Sequence, residues 1–164
     1  MTAHSQPRLA TSAPRPLPAA LAGLGAVLLL IAPLGPGWLF SPANPAAGIP
    51  AITLSFADLH RLTSSGPVPT NWIQENYFSW LGWALIAVTI LTTAAGVLLR
   101  RRELNSTAAA LAALGIVLTV LAAKGTLTWS QFSDETPHIR VGVYLLQLGY
   151  VLMIAAAATA QKRR

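Results

Sequence analysis

Cysteine is absent from the 164-residue chain, which excludes disulfides, thiol nucleophiles and Cys-ligated metal or iron–sulfur centres. Charge is scarce as well. Only 10% of residues are Asp, Glu, Lys or Arg, against about 25% in a soluble domain. A chain this poor in charge cannot surround a core with water-facing side chains. The few charges are also clustered: none falls between Arg15 and Asp58, between Glu75 and Arg100, between Glu103 and Lys124, or between Arg140 and Lys162. A helix needs roughly 20 apolar residues to cross hydrocarbon, and each gap is long enough.

What fills the gaps is Ala, Leu, Val and Gly. The sequence predicts an all-α integral membrane protein, an antiparallel bundle of four transmembrane helices. The spans fall at about 18–40, 79–100, 107–124 and 141–160, within one domain over 17–162. Residues 1–16, polar and proline-rich, read as a disordered cytoplasmic tail. The first span reads as an uncleaved anchor, because "SPANPAAG" offers a poor small-x-small cleavage site.

The charge bias orients the spans. With both termini cytoplasmic, Arg8, Arg15, Arg100, Arg101, Arg102, Lys162, Arg163 and Arg164 lie inside with one acid, Glu103. Arg61, Lys124 and Arg140 lie outside with Asp58, Glu75, Asp134 and Glu135. That asymmetry is what the positive-inside rule requires. It also accounts for the net charge of +6 without a nucleic-acid partner, since no aromatic residues interleave with the basic ones.

Packing is written most clearly in the third span. Ala108, Ala112, Gly115, Thr119 and Ala122 recur at the helical period, putting small side chains on one stripe where neighbouring backbones can approach closely. Gly142 and Gly149, seven residues apart, share a face of the fourth span. Gln147, between Tyr144 and Tyr150, reads as a polar group bonding across to another helix.

Any chemistry is expected in the outer loops, 41–78 and 125–140. "SPANPAAGIP" is too rich in Pro and Gly for regular structure. "TLSFADLHRLTSSG" predicts a short extracytoplasmic helix capped by Thr53, with Asp58 and Arg61 on its polar face. Asn71 and Gln74 resemble a capping box opening a helix near Trp72. Unbroken to Arg100, that helix would be about 43 Å long and would project from the membrane. Trp72, Tyr77, Phe78, Trp80 and Trp83, with Trp129, Phe132 and Trp38, fall where an interfacial belt is expected. All of these except Trp38 are the candidate contacts for lipid or a partner. Thr136-Pro137 predicts the N-cap and first residue of the fourth helix.

Metal-ligating candidates are His60, Asp58, His138 and Asp134, drawn from both loops, with Glu135 nearby. Neither loop contains HExxH or another ligand spacing, and there is no nucleophile elbow near Ser55, Ser64 or Ser65. No metal, cofactor or catalytic residue is therefore assigned. No Asp, Glu, Lys, Arg or His falls in the middle of any span, which argues against a pump or ion-coupled transporter.

Four spans with a larger first outer loop resemble the topology of claudin-type proteins, although this chain lacks the Cys pair of their loop signature. The Ala-rich spans, with Arg preferred to Lys, resemble small membrane proteins of high-GC actinobacteria. That resemblance is compositional and covers the whole chain. The expected function is a non-enzymatic accessory or assembly subunit of a cell-envelope complex, such as a lipid or cell-wall transport system. Its partners would be membrane lipids and either another membrane protein or a second copy. The alternative is a small membrane enzyme or transporter acting on a lipid at the outer face.

Overall fold

A computed structural model describes residues 16–66 and 69–162. It is mostly helical and contains four helices long and apolar enough to cross a membrane. These are α1 (Pro16–Leu34), the helix Trp72–Leu99, α5 (Arg102–Lys124) and α7 (Val141–Gln161). Trp72–Leu99 is continuous but not uniform. It comprises α3 (Trp72–Asn76), a π-helical turn over Tyr77–Leu81, and α4 (Gly82–Leu99). Its 28 residues reach about 42 Å at the α-helical rise, against roughly 30 Å for a bilayer's hydrocarbon. The proline-rich tail expected over residues 1–16 lies outside the described residues except for Pro16.

Three elements join the long helices at one end. A two-stranded antiparallel ribbon pairs β1 (Leu39–Ser41) with β2 (Ile52–Leu54). Two short helices follow in the chain, α2 (Phe56–Ser64) and α6 (Trp129–Glu135). We term this end the loop pole. At the other end, the turn pole, only Arg100 and Arg101 connect α4 to α5. Arg100 adopts a left-handed backbone (φ 53°) to make that turn.

Helix directions follow from who meets whom. Gly37 and Gly25 of the first segment approach Gly142 and Gly149 of α7 respectively, so α1 and α7 run opposite ways. Likewise Tyr77 meets Thr119 and Gly96 meets Asn105, which sets α4 against α5. Gln161 Nε2 donates to Ser106 Oγ at 3.2 Å, and Gln147 Nε2 to the Ile116 carbonyl at 3.4 Å. Those two bonds set α7 against α5.

The face α5 buries is Ala108, Ala112, Gly115, Thr119 and Ala122, with Asn105 at its start. Small side chains here let large neighbours in. The ring of Tyr150 lies where a Cβ on Gly115 would stand, Trp38 occupies that place at Gly142, and Leu29 presses on Gly149. Where apolar surroundings remove the hydrophobic drive between helices, such close packing and a few interhelical hydrogen bonds supply cohesion. The strongest of those bonds is Tyr77 Oη to Thr119 Oγ1 at 2.6 Å, fully buried, while Thr119 also donates to the Gly115 carbonyl.

Several boundaries differ from the sequence reading. The first apolar helix ends at Leu34 rather than Phe40. Pro36 lacks an amide hydrogen, and Gly35 and Gly37 around it are poor helix formers; the chain beyond turns into β1. The "SPANPAAGIP" segment carries a 3₁₀ turn (Pro45–Ala47) at the end of a β ribbon, not purely irregular backbone. Thr53 lies inside β2, and Ser55 caps α2 instead. Thr136-Pro137 forms a 3₁₀ turn after α6, while α7 begins at Val141 without a side-chain cap.

Replacing Gly115 with Ala drives a methyl into the Tyr150 ring. That overpacking should cost about 1–3 kcal/mol, read as a fall in thermal midpoint in mild detergent. Gly23→Ala, where nothing lies within 4 Å of the new Cβ, should leave the midpoint unchanged or slightly raised. Equal effects at the two positions would contradict the packing described.

Candidate functional site

The loop pole is built around Trp38. Its indole Nε1 donates to the Ala32 carbonyl at 2.8 Å, capping the end of α1. Its ring lies edge-on to Phe56 (5.0 Å between centroids) and Phe78 (5.9 Å). Phe56 also meets Tyr77, Phe78 and Trp83, so α2 and the π turn close over the indole. Each such aromatic pair contributes roughly 0.5–1.5 kcal/mol beyond burial alone. On the backbone side, the Arg140 amide donates to the Trp38 carbonyl and the Gly142 amide to the Gly37 carbonyl, both at 2.9 Å. These two bonds tie the start of α7 to the end of the first segment.

This arrangement divides the aromatic candidates. Tyr77 and Phe78, expected as lipid or partner contacts, are 0% and 2% exposed. The π turn brings both rings inward, Tyr77 to Thr119 and Phe78 to Trp38, so neither can face lipid. Trp38 is likewise interior. Trp72, Trp80 and Trp129 are 69%, 56% and 62% exposed, and Trp83 is exposed on one side while touching Phe56. Trp80 Nε1 is held by Asn76 Oδ1 at 3.0 Å. Phe132 is half-buried beneath Trp129, with ring centroids 6.2 Å apart.

The titratable candidates are engaged locally. The Asp58 carboxylate accepts from the Ser55 hydroxyl at 2.6 Å and the Ser55 amide at 3.0 Å, and Ser55 Oγ accepts from the Asp58 amide. That reciprocal box starts α2. The Ser55 hydroxyl, then its amide, hold the Asp58 carboxyl below its ordinary value of 3.8. Arg61, 3.6 Å away and mostly solvated, adds little. His60 and Asp134 are exposed. His138 Nδ1 lies 2.7 Å from Glu135 Oε2 across the end of α6. Among the described residues, no three His, Asp or Glu side chains gather as metal ligands would.

Gln74 does not return to cap Asn71, although Asn71 Oδ1 does accept from the Gln74 amide at 2.9 Å. Its side chain turns over Gly125, which has φ +58° and no Cβ to obstruct it. Just beyond, Thr128 and Gln131 form a second reciprocal capping box that starts α6.

Between the ribbon, the end of α5, α6 and the 3₁₀ turn lies a groove of about 320 Å³. Its floor is apolar, from Leu39, Leu54, Leu127, Phe132 and Ile139. Polar groups are few: Ser41, Glu135 and His138. Two cations nearby, neither of them a lining residue, stand on aromatic faces. Arg140 Cζ is 4.4 Å from the centroid of Phe40, which also lines the groove, and Lys124 Nζ is 5.2 Å from that of Trp129. An apolar floor with a few placed polar groups suits an amphiphile better than a soluble polar substrate. Sequence reasoning did not reach this groove, because its walls come from segments up to a hundred residues apart. The readable signals were single lining residues, Phe132 as a contact candidate and Glu135 and His138 beside the metal candidates, without the groove that joins them.

No protein-family model, curated protein or solved structure matches the chain.

The Asp58 pairing fixes a direction in pH. A carboxyl whose folded pKa is depressed contributes stability above its unfolded value, and that contribution is lost as pH falls through the folded value. The side-chain carboxyl resonance of Asp58, followed by carbon NMR, should therefore titrate with a midpoint below 3.8. In Ser55→Ala the midpoint should return toward 3.8. A wild-type midpoint at or above that value would contradict the box.

Proposed function

We propose that the chain is a multi-pass plasma-membrane protein with both termini cytoplasmic and its loop pole, including α2, outside. In this reading residues 17–162 form one four-helix domain. It acts as a non-enzymatic accessory or assembly subunit of a larger cell-envelope complex, such as a lipid or cell-wall transport system. The observation that carries the docking role is the exposure of Trp72, Trp80 and Trp129 at the loop pole. Exposed tryptophan suits an interfacial belt or a partner's pocket, since little side-chain entropy is lost on contact. The sidedness is supported by Arg100, Arg101, Arg102 and Lys162 at the turn pole against Arg61, Lys124 and Arg140 at the loop pole, with the remaining basic residues of the sequence, Arg8, Arg15, Arg163 and Arg164, all in the two terminal segments. The groove favours a second reading, in which the loop pole acts on or takes up a lipid.

The absence of native cysteine makes sidedness directly testable. Ser133→Cys should react with an impermeant maleimide on intact cells, and Glu103→Cys only after lysis. The reverse pattern would invert the topology, and labelling of both on intact cells would reject it. Purification of the tagged full chain in mild detergent should recover a stoichiometric membrane-protein partner, identified by mass spectrometry. Joint Ala replacement of Trp72, Trp80 and Trp129 should release that partner while the thermal midpoint barely moves, as for most surface substitutions. A chain that runs alone would sink the subunit reading.

A further inference from the structure

We propose that the groove at the loop pole holds one phospholipid, with an acyl chain along its apolar floor and the phosphate drawn to Lys124 and Arg140. This rests on the membrane placement proposed above and adds a ligand to it.

Three observations converge on that occupant. The volume, about 320 Å³, is within the range of small-molecule sites and too small for a helix. The floor residues Leu39, Leu54, Leu127 and Phe132 offer a chain-like partner nothing polar to bond, so a hydrocarbon chain loses no hydrogen bond on entering. Two cations stand close by. Arg140 lies over Phe40, a lining ring, and Lys124 lies over Trp129, whose ring meets the lining Phe132 at 6.2 Å. Cation–π contact holds each positive group on its ring without neutralising it. A guanidinium so placed can take a phosphate in a bidentate fork. Glu135 is the opposing charge at this rim, and its carboxylate is engaged by His138 at 2.7 Å. The exposed Trp129 places this rim at the depth where headgroups lie, if tryptophan marks the interface as it ordinarily does.

A lipid held this way differs from annular lipid because it touches residues that face the groove rather than the flanks of the bundle. The test uses the full chain in mild detergent with native mass spectrometry. The probes are dioleoyl phosphatidylglycerol and dioleoylglycerol, which share chains and differ in the phosphate head. Wild type should retain one phosphatidylglycerol, and dioleoylglycerol about tenfold less, the loss of a charge-assisted contact. Leu54→Trp and Leu127→Trp, which fill the floor, should each reduce phosphatidylglycerol retention about tenfold. Lys124→Gln with Arg140→Gln should bring phosphatidylglycerol down to the dioleoylglycerol level and leave dioleoylglycerol unchanged.

Equal retention of the two lipids by wild type would overturn the phosphate assignment. Undiminished retention by both Trp variants would overturn the groove as the site. Should a Trp variant unfold, wild type is labelled instead with phosphatidylglycerol carrying a diazirine in its chain. Cross-links on the peptide holding Leu127 and Phe132 support the proposal, and cross-links confined to α1 and α4 overturn it. The maleimide pattern reports membrane placement independently. A chain with the expected labelling but no retained lipid fails here and leaves the placement standing.

Discussion

The indole of Trp38 lies at the junction on which the loop pole depends, donating to Ala32 while Phe56 and Phe78 pack against it edge-to-face. Its neighbours come from the first segment, α2, the π turn and α7, so a single side chain links four parts of the chain. Gly142 makes this possible, since a Cβ there would meet the indole. The backbone pairing of Gly37 and Trp38 with Gly142 and Arg140 then brings β1 alongside Ile139. The groove exists because that pairing holds the ribbon over the end of α5.

A second constraint acts deeper in the bundle. Hydroxyls buried between apolar helices find partners or lose the hydrogen bonds they made in water; Thr89 Oγ1 and Tyr150 Oη have no partner, whereas three others do. Thr93 and Thr119 bond back to their own helix carbonyls, at Thr89 and Gly115. Thr119 also takes the Tyr77 hydroxyl, which the π turn delivers to it. One extra residue in that turn changes which rings face inward. Tyr77 and Phe78 thereby become core, while Trp80 on the same turn stays outside. π turns of this kind often mark places where helix geometry is bent to a purpose; here the purpose is interior packing at the base of the cap.

Much of the architecture was legible because it depends on local pattern. Four uncharged stretches became four long helices, since charge spacing and helical rise are both properties of the chain alone. The spacing of Ala108, Ala112, Gly115, Thr119 and Ala122 picks out the face that α5 buries. Other features were not readable. The three-residue strands β1 and β2 carry no alternation that distinguishes them from loop, and they exist through pairing with each other. α6 was hidden because Thr136-Pro137 is an equally good start signal, and the Thr128–Gln131 box, whose cap stands eight residues earlier, competes with it. Asp58 was visible as a charge on a helix face, but its role as the capping carboxylate depended on Ser55 rather than Thr53 standing at the N-cap.

The sequence by itself determined the count of long apolar helices, because it follows from where charges are missing. It also determined which helix face is small. Only the tertiary structure decided which aromatic rings point inward, where the ribbon lies, and that Ser41, Glu135 and His138 share a groove with Leu54 and Leu127. The reason is physical. Periodicity fixes which residues share a face, but a cavity forms between faces, and its walls are set by how Trp38, Gly142 and the π turn bring distant segments together.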